Sequence, residues 1–449
     1  MSQKSFNLIL KHKILPFNKS IRVDSDKSIS IRSLLIPSIS KNISVVKNLL
    51  ESDDVLSTIN CLKKLGVKIV KKKSKNYLVY GKGLGSLSIK KNSSINLGNS
   101  GTLARLLIGI LSTTPNINLK LSGDHSLNNR SMKSLIELMN RFGAIFLPKK
   151  KFNFPLKIIS SELPVGINYK AGFSAQLKSA VILAGLNSYG ITKVLESDKS
   201  RDHTEKALLQ NKKVIKIKII KKLREIKIRG KKQLQPLYIE VPGDPSSAAF
   251  FTALTLLNKN SSLKIKKVGL NPTRIGFYKL LKKHGAKIKF DNVMKINNEI
   301  VGDIIVKSSN LKPIKAFKEY YVNSTDEYPM LFIISSMLKG KSIFKGITDL
   351  ANKESNRITE MQKILKQISV KTSSTKNELK IYGKGLIDAR LKKIIVPKLG
   401  DHRICMSSFI LGLLTGAEVI IKDFNTVFTS SPSFLKIMKS FNVRFKIQK

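Results

Sequence analysis

Apolar residues in this chain recur at helical spacing, stop at a Gly, Asn or Ser, and give way to short runs rich in β-branched residues. The pattern occurs six times, with closing residues Gly66, Gly143, Asn211, Gly285, Ser369 and Asn442. Gly and Asn suit the left-handed residue that closes a helix, and β-branched residues then favour a strand. Successive copies lie 68 to 84 residues apart. The tetrapeptide Gly81-Lys-Gly-Leu84 returns as Gly383-Lys-Gly-Leu386, at about the same distance past its helix end. A strand-like segment with Leu87 and Ile89 follows the first copy, which predicts a hairpin turn; a dinucleotide fingerprint would need a helix there.

Six units of strands plus two helices predict an α/β fold. Six is two sets of three, so the chain is expected to form two similar domains, each of three repeated strand/helix units around a central cleft. Ile239–Pro245 lies near the middle and reads as a crossover between halves. A cleft between domains is the default ligand site.

Composition narrows the class. Of 449 residues 42% are hydrophobic, which excludes global disorder. Cys61 and Cys405 are the only cysteines, so no disulfide framework or cysteine-based metal site fits, and a reducing compartment is expected. The longest apolar stretch, Ile404 to Ile421, is broken by Ser407, Ser408, Thr415 and Glu418, which predicts no membrane span. Met1 to Lys13 lacks the apolar core of a signal peptide. The expectation is a soluble, cytoplasmic protein.

With 82 Lys and Arg against 29 Asp and Glu, the net charge is +53. That raises nucleic-acid binding as a rival class. The lysines, however, spread along the whole chain in short runs such as Lys71–Lys73 and Lys149–Lys151, and no aromatic-interleaved basic stripe appears. The charge therefore reads as compositional bias. Against 69 Lys, the 13 Arg become informative, because only guanidinium offers a planar, always-charged fork for phosphate and carboxylate. Arg32, Arg105, Arg130, Arg201, Arg357 and Arg403 sit in polar segments.

Five small or polar loops precede apolar helical runs: Asp26–Ser30, Gly98–Thr102, Gly172–Gln176, Gly243–Ser247 and Asp401–Arg403. Helix N-termini offer free N–H groups and a positive dipole end. With arginines nearby, they suggest a site for a substrate carrying several anionic groups. Two acidic segments, Asp326-Glu-Tyr-Pro329 and Lys353-Glu-Ser-Asn-Arg357, supply carboxylates among cations, the setting of a proton-transfer group.

These segments resemble the EPSP synthases, the 3-phosphoshikimate 1-carboxyvinyltransferases within the enolpyruvyl transferases. The resemblance rests on Asp26-Lys-Ser-Ile-Ser-Ile-Arg32, Gly98-Asn-Ser-Gly-Thr102 and Gly123–Arg130. It continues through Ser174-Ala-Gln-Leu-Lys178, Ser200-Arg-Asp-His-Thr-Glu205, Pro242–Ala248, Asp326–Pro329, Lys353–Arg357, Asp401-His-Arg403 and Pro432-Ser-Phe434, all in family order. It implies transfer of the enolpyruvyl group of phosphoenolpyruvate to the 5-hydroxyl of 3-phosphoshikimate. It also implies catalytic roles for Asp326, Glu354 and Lys27. Binding of 3-phosphoshikimate would fall to Lys27, Ser28, Arg32, Ser174, Ala175, Gln176, Asp326 and Lys353. Binding of phosphoenolpyruvate would fall to Lys27, Gly101, Arg130, Gln176, Arg357 and Arg403.

No metal and no cofactor is expected, and the expected partners are the two small-molecule substrates of a monomer, with no nucleic acid and no membrane. The implied domains are 23–242 and a discontinuous 1–22 with 243–449, with the active site in the cleft. The sister transferase acting on UDP-N-acetylglucosamine typically uses a loop Cys or Asp that neither Cys61 nor Cys405 supplies. A methyl group at the position of Gly101 accompanies glyphosate tolerance in the family, so Gly101 predicts sensitivity. Departures from the usual pattern are Asp24-Ser25 for Pro-Gly, Ile31 for His or Asn, Ala351 for Arg, Asn356 for Asp and Ser431 for an aromatic.

Overall fold

The computed structural model describes residues 5–221 and 223–449; residues 1–4 of the Met1–Lys13 segment and of the 1–22 range lie outside them. Among the described residues the strands form six sheets of four strands. One arrangement repeats. Tyr238–Glu240 runs parallel to Ile43–Lys47, which pairs antiparallel with Tyr77–Tyr80, itself antiparallel to Lys68–Lys71. The sheet of Asn168–Ala171, Ile191–Glu196, Leu223–Arg229 and Ile215–Ile220 has the same order and directions. So does that of Lys315–Ala316, Lys339–Lys345, Glu378–Lys384 and Lys371–Ser374.

The sequence closures account for this repetition. Gly66, Gly143, Gly285, Ser369 and Asn442 take φ of +83°, +92°, +101°, +59° and +61°. Asn211 is the exception. It is buried and takes no positive φ; its N–H donates to Leu208 O (2.7 Å) and its Oδ1 accepts from Gln235 N (2.7 Å), so backbone and side chain together close the turn without a left-handed residue. Gly81-Lys-Gly-Leu84 is not the expected hairpin turn. No strand forms at Leu87 or Ile89, and the next strand, Ser94–Asn96, belongs to another sheet. Leu87 is apolar because it is buried in a core. The glycines serve close approach instead. A Cβ on Gly81, Gly230 or Gly383 would lie 2.2, 1.8 or 2.1 Å from the carbonyl oxygen of Ser40, Ser188 or Leu338. Each carbonyl stands two residues past a helix end, so the strand crosses that end only without a side chain.

The chain divides into two compact units, one of Ser25–Val241 with Lys295–Glu299, the other of Met1–Asp24, Pro242–Met294 and Ile300–Lys449. Each contains three of the six sheets and its own apolar core. The core of the first draws on residues from Ile29 to Val241. The core of the second joins Leu8–Phe17 to Ala248–Val443. In the second unit Asn7–Leu10 pairs with Glu418–Ile421 and with Lys446–Gln448. There Asp24, 3% exposed, accepts from Ser431 Oγ (3.1 Å) and Ser433 N (2.8 Å).

Eight helices bear on the site: α1 (Lys27–Ser38), α2 (Gly101–Leu111), α3 (Ala175–Leu186), α4 (His203–Leu208), α5 (Pro245–Leu257), α6 (Tyr328–Ser336), α7 (Arg357–Gln367) and α8 (His402–Thr415). All five polar loops singled out above are helix starts. Asp26, Ser100, Ser174, Asp244 and Asp401 accept from the N–H groups of Ile29, Leu103, Leu177, Ser246 and Arg403. Asn356 caps α7 by accepting from Thr359 N (3.2 Å), a bond an Asp would also accept. Ile31 is fully buried in α1, which an imidazole or amide would not match without a partner.

Candidate active site

In the unit of Ser25–Val241, four cationic side chains, Lys27, Arg32, Arg105 and Arg130, stand at or beside the helix starts. Lys27, at the first position of α1, places its Nζ 3.1 Å from Asp54 Oδ2. One turn on, Arg32 is 3% exposed and held on three sides. Its NH1 donates to Ser28 Oγ (2.7 Å) and Ser28 O (3.0 Å), its Nε to Thr204 Oγ1 (2.8 Å) and its NH2 to Ser179 Oγ (3.1 Å). Ser28 faces Arg32 because residues four apart share one side of a helix.

The starts of α2 and α3 meet at Gln176. Its Oε1 accepts from Arg105 NH1 (3.0 Å) and its Nε2 donates to Thr102 Oγ1 (3.0 Å). Arg105 NH1 also donates to Gly101 O (3.1 Å). Arg130 donates from NH2 to Asn99 Oδ1 (2.6 Å) and Ser126 Oγ (3.1 Å). A Cβ on Gly101 would lie 2.8 Å from Arg105 NH1 and 3.1 Å from Arg130 NH1, so Gly101 leaves room for two guanidinium ends. Ser174 and Ala175 stand at the cap and first position of α3, at the same helix start as Gln176.

In the second unit, the first residue of α7 is the hub. Arg357 is 1% exposed. Its Nε and NH2 reach Asp401 Oδ2 (2.9 Å) and Oδ1 (3.3 Å), NH2 reaches Glu354 Oε2 (2.6 Å), and NH1 lies 3.8 Å from Asp326 Oδ1. Burial alone would lower the basicity of this guanidinium, but Asp401 and Glu354 raise it above its ordinary value, so it stays charged. Asp326 and Glu354 thus flank one cation from two sides and both remain half-exposed. Asp326 lies on the 3-10 turn Thr325–Glu327 that runs into α6. Beside it, Glu327 Oε1 accepts from Ser246 Oγ at the start of α5. Lys353 pairs with Asp349. Arg403 is 4% exposed, and its NH1 and that of Arg357 are buried nitrogens with no hydrogen-bond acceptor among the described residues. A buried donor left unmade costs about 1–3 kcal/mol, so both favour an incoming anion.

Among the residues named from sequence, contacts join Ser28 to Arg32, Gly101 to Gln176 through Arg105, and Asp326 and Glu354 to Arg357, whereas Lys27 and Lys353 pair outside that set, with Asp54 and Asp349. Their supports were missed: Asp54 for Lys27, Thr204 and Ser179 for Arg32, Asp401 for Arg357. Thr204 and Asp401 lay inside motifs already singled out, and Asp53-Asp54 stood out as two acids at a helix start in a chain poor in acids, but nothing local named the cation each one holds. Both cysteines are buried. Burial pushes the Cys61 thiol up to about 12 and raises that of Cys405, so neither is poised as a nucleophile. Among the described residues no group of three or more His, Cys, Asp or Glu could hold a metal ion.

Comparison with known proteins agrees over the chain's length. The family model for EPSP synthase (3-phosphoshikimate 1-carboxyvinyltransferase) matches residues 11–438. The 3-phosphoshikimate 1-carboxyvinyltransferase of Zymomonas mobilis is 36% identical over 443 residues, 98% of this chain and 97% of that protein. The enzyme of that name from Sulfurihydrogenibium is 37% identical over 94% of this chain and 96% of its own. The EPSP synthase structure from Acinetobacter baumannii superposes with a TM-score of 0.84 at 31% identity, covering 99% of this chain and 100% of that one. The enolpyruvyl transferase NikO from Streptomyces tendae shares the fold, with a TM-score of 0.75 at 11% identity over 99% of both chains. With family motifs, fold and full-length similarity in agreement, this chain belongs to the EPSP synthase family, the 3-phosphoshikimate 1-carboxyvinyltransferases.

Proposed function

We propose the following division of labour for the family's reaction, in which the enolpyruvyl group of phosphoenolpyruvate passes to the 5-hydroxyl of 3-phosphoshikimate and phosphate leaves. Lys27, Ser28, Arg32, Ser174, Ala175, Gln176 and Lys353 hold 3-phosphoshikimate. Lys27, Gly101, Arg130, Gln176, Arg357 and Arg403 hold phosphoenolpyruvate. Both substrates carry a phosphate and a carboxylate, so cations and helix starts offset their mutual repulsion.

Asp326 accepts the 5-hydroxyl proton as that oxygen bonds to C2 of phosphoenolpyruvate, and Glu354 takes part in protonating the methylene carbon. The tetrahedral product then breaks its C2–O bond to phosphate and returns a proton from the new methyl group, which restores the double bond. One observation carries this reading: two half-exposed carboxylates, Asp326 and Glu354, stand on either side of one buried guanidinium. A base and an acid beside a shared cation suit a reaction that takes one proton and gives another. The need for both clusters on one substrate pair motivates a ligand-bound state with the two sets of residues at the same reacting atoms.

No helix among the described residues is long and apolar enough to cross a membrane. We propose a monomeric, cytoplasmic enzyme of small-molecule substrates, and read the charge of +53, spread along the chain, as compositional bias and not as a nucleic-acid surface. The test is phosphate release with both substrates and with each omitted. Release that requires both supports the reading; equal release without 3-phosphoshikimate overturns it.

A further inference from the structure

Arg32 differs from Arg357 in how it is held. Four of its hydrogen bonds go to neutral oxygens of Ser28, Thr204 and Ser179, whereas Arg357 leans on Asp401 and Glu354. Neutral acceptors orient a guanidinium without cancelling its charge. Thr204 is fully buried and Ser179 is 1% exposed, and Thr204 Oγ1 also donates to Ser179 Oγ (2.8 Å). The two hydroxyls therefore form one linked acceptor surface for Nε and NH2.

Thr204 is itself fixed by its neighbours in the first turn of α4. On one side, His203 Nδ1 lies 2.7 Å from Glu299 Oε1. On the other, Glu205 Oε1 meets Lys178 Nζ (2.9 Å) and Arg224 NH1 (3.1 Å). Lys178 and Arg224 also bind Glu196, which accepts from Ser200 N (2.8 Å) and Ser200 Oγ (2.6 Å) ahead of α4. Three consecutive residues are thus anchored on three sides, and the middle one touches Arg32.

We propose that Thr204 is a positioning residue, whose hydroxyl, linked to that of Ser179, sets the plane of the Arg32 guanidinium for 3-phosphoshikimate. The inference rests on the assignment of Arg32 to that substrate. A free Arg side chain loses rotamer freedom when it binds, and a fork already held in plane loses less of it.

The test compares Thr204→Val, which keeps the shape and removes the hydroxyl, with Thr204→Ser, which keeps the hydroxyl. In Thr204→Val the KM for 3-phosphoshikimate should rise on the order of tenfold with kcat within about threefold, the signature of lost uniform binding. Thr204→Ser should restore most of the affinity. In an Arg32→Ala background, Thr204→Val should add no further loss, because the effect travels through Arg32. An ordinary KM in Thr204→Val, or losses that simply add in the double variant, would overturn the proposal while leaving Arg32 in its role. An ordinary KM in Arg32→Ala would remove both. If Thr204→Val yields no folded protein, Ser179→Ala carries the same expectations and the same overturning outcomes.

Discussion

Asp326 and Glu354 divide one guanidinium between them, and each should show a distinct defect when neutralised. Asp326→Asn keeps size and hydrogen bonding but cannot take a proton. Its kcat should fall by about 10²–10⁴-fold, the usual contribution of a placed acid or base. The dissociation constant for 3-phosphoshikimate should move less than about tenfold, or ~1.4 kcal/mol, by calorimetry. Near-normal turnover would remove Asp326 from the base role. At Gly101 the argument is steric. A methyl group there meets the ends of Arg105 and Arg130, which must give way. Glyphosate is longer than phosphoenolpyruvate, so Gly101→Ala should raise its inhibition constant by more than about tenfold, the worth of one methyl-sized clash. The KM for phosphoenolpyruvate should rise less, and parallel inhibition titrations on both proteins would read the difference. The residues proposed to react sit in short motifs beside helix starts, which is why sequence alone could nominate them. Thr204 and Asp54 were not legible as supports, because the contacts that define them span 172 and 27 residues of chain.

Helix starts are the recurrent device of this protein, and the elements behind them depend on buried charge. Lys178 in α3 is fully buried between Glu196 and Glu205. Burial would raise the Glu196 carboxyl, but Lys178 and the Ser200 donors hold it below its ordinary value. A depressed carboxylate contributes stability above its unfolded value near 4.3 and loses it as pH falls through the folded one. The stability gap between the wild type and Glu196→Gln, measured by denaturant titration, should therefore be wide at pH 7 and shrink progressively as pH falls below about 4.3. A gap independent of pH would mean that the pair contributes through packing and not through charge. The six helix-to-strand closures were legible because Gly, Asn and Ser mark them. The Gly81 and Gly383 tetrapeptides misled, since a glycine that admits a crossing backbone and a glycine that turns a hairpin look alike in sequence.

At the scale of the whole molecule, the two apolar cores draw on separate stretches of chain. Every residue of the core between Ile29 and Val241 lies inside one continuous segment. A fragment of residues 25–241 should therefore fold alone, with a single cooperative thermal transition and the strand and helix content of the intact unit by circular dichroism. A fragment lacking a transition would show that its core is insufficient by itself. The other core needs Leu8 to Phe17 from the start of the chain, so residues 242–449 without it should unfold at lower temperature or fail to fold. The α/β class followed from hydrophobic periodicity alone. The pairing of Asn7–Leu10 with strands more than 400 residues away did not, since no local pattern encodes so distant a partner.

Asp24 and Ser431 both depart from the residues usual in the family, and they bond to each other in a buried spot. In evolutionary terms, neither change is free to occur or revert alone. An aromatic at 431 with Asp24 in place would strip a buried carboxylate of a donor, while a proline at 24 would leave the Ser431 hydroxyl without its acceptor there. Lineages descending from this sequence are therefore expected to keep the two positions together or to exchange them together.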